Sequence, residues 1–321
     1  MTHATAPAPA LPDWTTTQLQ VQQPAPAWFD WALARPLSSH FVQVDGCPIH
    51  YLLWPGDDAR ANRRGLLFVH GGGAHANWWR FIAPFFTPNF RVAALDLSGM
   101  GDSGHRAHYD ANHRAQEILQ VLEDANLGPQ PFVVGHSFGG YMTMGFGAAF
   151  GARIGGAVIV DSPIRRPGSG DEGEMPRRAI SLARHYPSFE LGLERFRLLP
   201  AQACANAYLV EFIARHSLRE SGSGWTWKFD VGAMGTGRWG EPFKEYLQAL
   251  TCRAALIFGE NSALMSRDTA QYMSDLMGPL APIIEIPDAQ HHLMLDQPLA
   301  FVAALRALLA SWTSADSRSE T

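Results

Sequence analysis

The stretch Phe132-Val133-Val134-Gly135-His136-Ser137-Phe138-Gly139-Gly140 decides how the rest of the chain is read. The apolar run 131–134 has the length of a buried strand, and the Met-, Phe- and Ala-rich residues up to Phe150 continue as a helix. Between the two, Gly135 and Gly139 leave room for a sharp, strained turn that lifts the Ser137 hydroxyl clear of the strand ends. The G-x-S-x-G spacing by itself is a weak signal. Its place after one strand and before one helix makes Ser137 a candidate nucleophile rather than part of an ordinary turn.

Outward from this turn, the chain alternates strand-like and helix-like segments. Runs at 65–69, 91–97, 156–160, 254–258 and 281–286 are almost wholly apolar, as expected of parallel strands covered on both faces. Helical periodicity fills the intervals 113–127 and 141–150 and returns in a final helix at 298–312. Two further strands, 41–44 and 49–54, flank Asp45-Gly46 and read as a hairpin. This is the doubly wound α/β pattern. It breaks between 163 and 249, where Pro, Gly and charged clusters surround short helical stretches, which predicts an inserted, mostly helical lid. The expected organisation is an Ala/Pro-rich N-terminal arm (1–27), a core made of 28–162 and 250–312, a lid (163–249) and a frayed polar tail (313–321).

Composition excludes several functions. Apolar residues are 46% and charged residues 17% of the 321, a globular balance. The net charge of −5 and the lack of a basic block argue against nucleic acid as a partner. The Ala-Pro start is unlike a secretory signal, and the sequence shows no obvious membrane span. Cys47, Cys204 and Cys252 are too few and too scattered for a disulfide framework or metal cluster, so a cytoplasmic location is expected. A homodimer stays open.

The strand at 65–69 empties into His70-Gly71-Gly72-Gly73-Ala74-His75-Ala76-Asn77-Trp78-Trp79. Three consecutive glycines let backbone amides approach a ligand, and such a loop beside the serine turn can form an oxyanion hole. The backbone N–H groups of Gly72 and Phe138 are the candidates, with Gly73 the near alternative. No Lys-Ser/Thr pair or G-x-G-x-x-G spacing follows, which counts against a phosphate cradle. His70 and His75 lack a third ligand for zinc. Asp96 and Asp102 read as turn caps after the strand at 91–97. Gly73, His75, Trp78 and the lid residues Trp225, Trp227 and Trp239 are candidates for lining a substrate cleft, with core packing an equally open role for the lid aromatics.

These motifs together resemble the α/β-hydrolase superfamily, in its lidded branch of esterases, lactonases, carbon–carbon bond hydrolases, epoxide hydrolases and haloalkane dehalogenases. The resemblance spans about 38–312. It rests on the His70 glycine loop, the serine turn, the strand spacing, the lid position and the histidine after the last strand. It implies a mostly parallel eight-stranded sheet flanked by helices. Ser137 then matches the nucleophile and His291 the general base, preferred over His292 because it directly follows Gln290. A serine nucleophile disfavours the epoxide hydrolases and dehalogenases, which use aspartate.

The third triad member departs from the common pattern. Related sequences place the acid where this chain has Ala263, within Gly259-Glu260-Asn261-Ser262-Ala263. Asp161, ending the strand after the serine turn, is the preferred substitute, because some family members take their acid from that strand. Glu260 is the second choice and the absence of any protein acid the third. The implied activity is a serine hydrolase acting on a moderately hydrophobic small molecule through an acyl-enzyme, without metal or organic cofactor. Two alternatives stay open: cofactor-independent oxygenase or lyase chemistry, and a small-molecule receptor with a degenerate triad.

Overall fold

The computed structural model describes residues 24–56, 64–168, 185–234, 242–278 and 281–319. In chain order the elements are α1 (Ala27–Leu33), β1 (Ser38–Val44), β2 (Cys47–Trp54), β3 (Gly65–Val69), β4 (Arg91–Leu95), α2 (Ala111–Asp124), β5 (Phe132–His136), α3 (Phe138–Phe150) and β6 (Gly156–Val160). There follow α4 (Phe189–Leu193), α5 (Ala207–His216), β7 (Leu218–Ser221), β8 (Gly224–Trp227), α6 (Phe243–Gln248), β9 (Ala254–Gly259), α7 (Arg267–Met277), β10 (Ile283–Ile286), α8 (Leu293–Asp296) and α9 (Pro298–Ser319).

Eight strands form one sheet in the order β1-β2-β4-β3-β5-β6-β9-β10. The β1–β2 and β2–β4 pairs are antiparallel and the remaining pairs parallel. Asp45 and Gly46 take φ of 46° and 73°, the doubly positive backbone that a tight two-residue hairpin requires. The period-two geometry of the central strands splits their side chains between two cores. Leu66, Phe68, Phe132, Val134, Val158, Val160, Ala255 and Ile257 pack on one face of the sheet. Leu67, Val69, Val133, Ala157, Ile159, Leu256 and Phe258 pack on the other. Each fully buried Val, Leu, Ile or Phe contributes about 1.5–3 kcal/mol. A polar side chain substituted at any of these positions therefore meets an apolar face.

At the N-terminal side, Phe29 of α1 is the buried anchor, packing on Phe81, Tyr208 and Phe212. At the other end, the helix expected to stop near 312 runs on to Ser319. Within the described part of that tail Asp316 pairs with Arg64 and Arg253, at 2.5 and 2.7 Å. By length and composition α9 could cross a membrane. Its Phe301, Leu305, Leu308 and Leu309 are instead buried in the first core, the place of a helix that flanks a sheet.

The inserted segment is not wholly helical. Besides α4, α5 and α6 it holds the β7–β8 hairpin, around which Leu193, Ala214 and Leu218 form a small core of their own. The lid is stitched to the loop after β4 by backbone bonds from Gly101 N–H to Lys228 and from Asp230 N–H to Gly99, both 2.7 Å. The Lys228 ammonium adds an ion pair with Asp102 at 2.7 Å.

Candidate active site

Ser137 sits where β5 turns into α3, with φ 52° and ψ −116°, a strained region for a residue with a side chain. Its neighbours must be glycines for a steric reason. A Cβ on Gly135 would collide with the Gly139 carbonyl and the Thr143 hydroxyl, and one on Gly139 with the carbonyls of Val69 and His70. The turn is closed by Ser137 N–H donating to Val160 O at 2.8 Å and by the Ser162 hydroxyl donating to Ser137 O at 2.8 Å.

Asp161 follows β6, the strand beside β5, and is fully buried. It too is held at positive φ, 48°. This turns its carboxylate across the strand ends, where Oδ2 accepts from Gly259 N–H at 3.1 Å and Oδ1 from the Ser262 hydroxyl at 2.7 Å. His291, 1% exposed, lies between the two: Nδ1 is 2.8 Å from Asp161 Oδ1 and Nε2 is 3.0 Å from Ser137 Oγ. With Nδ1 protonated toward Asp161, Nε2 is left as the acceptor for the serine proton. The carboxylate, imidazole and hydroxyl form the hydrogen-bonded series of a serine-hydrolase triad.

Glu260 takes no part in this series. It accepts from Asp288 N–H at 3.1 Å and lies 3.7 Å from Arg267, on the exposed side of the loop. Ala263 is exposed, and its neighbour Ser262 serves the acid instead of supplying one. Ser262 and Ser162 are functional neighbours that motif reading passed over, although each adjoins a residue it had singled out. His136 was also missed. Its Nε2–H donates to His291 O at 3.0 Å, tying the serine strand to the histidine loop. Burial, reinforced by the neighbouring His291, holds its pKa well below the ordinary histidine range, so it stays neutral.

The glycine loop lies against the serine. A side chain on Gly71 would reach within 3.4 Å of Ser137 Cβ, and Gly73 has φ 66°, outside the comfortable range of other residues. His70 braces this loop, donating from Nδ1 to Gly71 O at 2.7 Å and accepting at Nε2 from Leu97 N–H at 3.1 Å.

The residues assigned to the substrate cleft are dispersed. His75 is 2% exposed and donates to the Ser217 hydroxyl of the lid at 2.9 Å; burial lowers its pKa to about 3. It ties lid to core as an uncharged group. Trp78 is buried beside His292, their rings 5.3 Å apart. Trp225 stacks edge-on with Phe189, and Trp227 packs on Tyr186 and Phe196, so both serve the lid's small core. Trp239 lies outside the described residues. Beside Ser217, the lid reaches the glycine loop through Phe229, whose ring comes within 3.8 Å of where a side chain on Gly73 would stand.

The sequence profile of the alpha/beta hydrolase family matches residues 66–305, taking in the glycine loop, the serine turn and the histidine. The chain belongs to that family. Among curated relatives, an esterase of Mycobacterium tuberculosis is 26% identical over 278 residues, covering 83% of this chain and 88% of the relative. A pimeloyl-[acyl-carrier protein] methyl ester esterase of Edwardsiella ictaluri is 24% identical over 260 residues, covering 76% and 93%. Among solved structures, E-2-(acetamidomethylene)succinate hydrolase superposes with a TM-score of 0.72 at 18% identity, over 86% of this chain and all of that one. At that identity the likeness speaks for the fold alone.

Proposed function

We propose that the protein hydrolyses an ester, lactone or related carbonyl compound of moderately hydrophobic character through a covalent acyl-enzyme. The observation that carries this reading is the unbroken series from Asp161 through His291 to Ser137, with contacts of 2.8 and 3.0 Å. His291 takes the proton as Ser137 Oγ attacks the carbonyl carbon. Asp161 stabilises the imidazolium, and the backbone amides of Phe138 and Gly72, or Gly73, receive the oxyanion. The imidazolium then protonates the leaving group, and water, activated by the same ring, releases the acid.

The receptor alternative rested on the missing acid at Ala263. Asp161 supplies a carboxylate to the imidazole, which removes that reason. The esterase names of the relatives agree with an ester substrate, and the Phe229 ring beside Gly73 favours an uncharged acyl or alcohol group. A cytoplasmic setting belongs to the same proposal, supported by three unbridged cysteines.

The test is labelling with a fluorophosphonate probe alongside turnover of p-nitrophenyl esters of graded chain length. Ser137→Ala should abolish labelling and lower turnover by about 10²-fold or more while leaving the fold intact. Near-normal turnover in purified S137A would overturn the covalent mechanism.

A further inference from the structure

The structure assigns a second capacity to the same end of the sheet: His136, His291 and His292 form a three-imidazole site for a divalent transition cation of the zinc type, and its occupation silences the hydrolase. The three side chains offer ring nitrogens that lie within 4.8 Å of one another. All three residues are buried, at 1%, 1% and 4% exposure. Their ring centroids are 4.8 Å apart for His136–His291, 4.8 Å for His291–His292 and 5.6 Å for His136–His292.

His292 supplies the independent reason to expect a ligand. Neither of its ring nitrogens has a hydrogen-bond partner among the described residues. The carbonyls of Leu199 and Pro200 are nearby, but neither meets the ring in full hydrogen-bond geometry. A buried polar group left this way is costly, and native proteins rarely retain one without a use. Trp78, packed against the ring, also has an unpartnered indole N–H, but that group only donates and cannot satisfy a metal.

The donor set selects the ion. Three imidazoles without a thiolate suit zinc, cobalt, nickel or copper and leave magnesium or calcium poorly served. In a tetrahedral site with metal–nitrogen distances of about 2.0–2.1 Å the ligand atoms stand about 3.3 Å apart. The cluster must therefore contract by at most about 1.5 Å, and His292, with no bond to give up, has the most freedom to turn. His291 has Nδ1 engaged by Asp161, which leaves Nε2 for the cation. A carboxylate behind a metal-bound histidine is the usual way such a ligand is oriented. Nε2 is also the atom 3.0 Å from Ser137 Oγ, so the cation takes the lone pair that would receive the serine proton. Coordination alone accounts for the block, with no bond broken and no electron transferred.

The inhibitory arm rests on the proposed hydrolase reading; the binding arm does not. Metal-stripped protein is titrated with Co²⁺, read by its visible ligand-field absorption, and with Zn²⁺, read by ester turnover and by fluorophosphonate labelling of Ser137. One cation per chain is expected, with turnover and labelling falling at least about tenfold at saturation and returning on addition of EDTA. S137A should bind Co²⁺ as tightly as the wild type. His292→Asn, with His292→Gln as a second variant in case the first misfolds, should lose at least about tenfold in Co²⁺ affinity while keeping metal-free turnover within about threefold. Undiminished Co²⁺ affinity in either folded variant overturns the site, and stoichiometric binding with full turnover overturns the inhibition. If no ester is turned over at all, the hydrolase reading fails while the Co²⁺ comparison still decides the site.

Discussion

Replacing Asp161 with asparagine changes one atom and removes one charge, in a place where the consequences can be followed bond by bond. The carboxylate accepts three hydrogen bonds: His291 Nδ1–H and the Ser262 hydroxyl at Oδ1, and Gly259 N–H at Oδ2. An amide has one acceptor oxygen. If that oxygen keeps the Oδ1 position, its NH₂ confronts the Gly259 N–H, donor against donor, in a fully buried site. If the amide flips, its NH₂ faces His291 Nδ1, which must then become the acceptor. The proton moves to Nε2, and the imidazole can no longer take one from Ser137. Both orientations also lose the charge that stabilises imidazolium. In a serine-protease triad the same change lowers turnover by about 10⁴-fold, or about 5.4 kcal/mol at the transition state. A loss of about 10³–10⁴-fold in kcat is expected here, with circular dichroism and fluorophosphonate reactivity recorded on the same preparation. Glu260→Gln, which disturbs only the Asp288 and Arg267 contacts, is the control and should stay within about twofold, as surface changes usually do. A folded D161N that works within tenfold of the wild type refutes the reasoning; so does an E260Q that falls further than D161N.

Two more outcomes follow from the framework around the site. Burial by itself would raise the pKa of Asp96, but the hydrogen bond and charge of His50 outweigh it and hold the carboxyl at about 2. The stability this adds, on the order of 2 kcal/mol, is complete above the unfolded value near 4 and is lost as pH falls toward 2; the gap between wild type and D96N in urea unfolding should therefore shrink from pH 6 to pH 3, and a constant gap would contradict the assignment. Gly135→Ala should cost about 1–3 kcal/mol by overpacking, because its Cβ meets the Gly139 carbonyl, and an unchanged melting temperature would show that the turn yields more easily than its geometry implies.

The parts that the sequence made legible are those with a local signature. The apolar strands are buried on both faces, so each could be read as a continuous run, and the Gly135/Gly139 pair marks the serine turn because no other residue fits. By residue pattern Asp161 was one strand-end carboxylate among several, and the family resemblance singled it out; its role depends on a positive φ and on the arrival of His291 from 130 positions away. The lid was harder still. Trp225 and Trp227 read equally as pocket or packing until Tyr186, Phe189 and Phe196 are seen beside them, and Phe229 gains its place only through the β7–β8 hairpin and the backbone bonds around Gly99 and Gly101. His136 gave no signal because a histidine inside an otherwise apolar strand looks like a core oddity until its partner carbonyl is known.

The location of the acid bears on how this protein could be re-engineered. Because Asp161 and Ser162 directly follow β6, immediately before the insertion begins, the first residues leaving the core are also the ones that steer the imidazole and brace the serine turn. A chimera that exchanges the whole insertion at the end of β6 would carry away catalytic parts along with the cover. The junction has to fall beyond Pro163, whose carbonyl is held by the Tyr141 hydroxyl of α3 at 2.8 Å. The loop after β9 reaches the acid through Ser262 and the Gly259 amide and is by contrast open to variation at the exposed Ala263, short of Met265, which is buried in the second core.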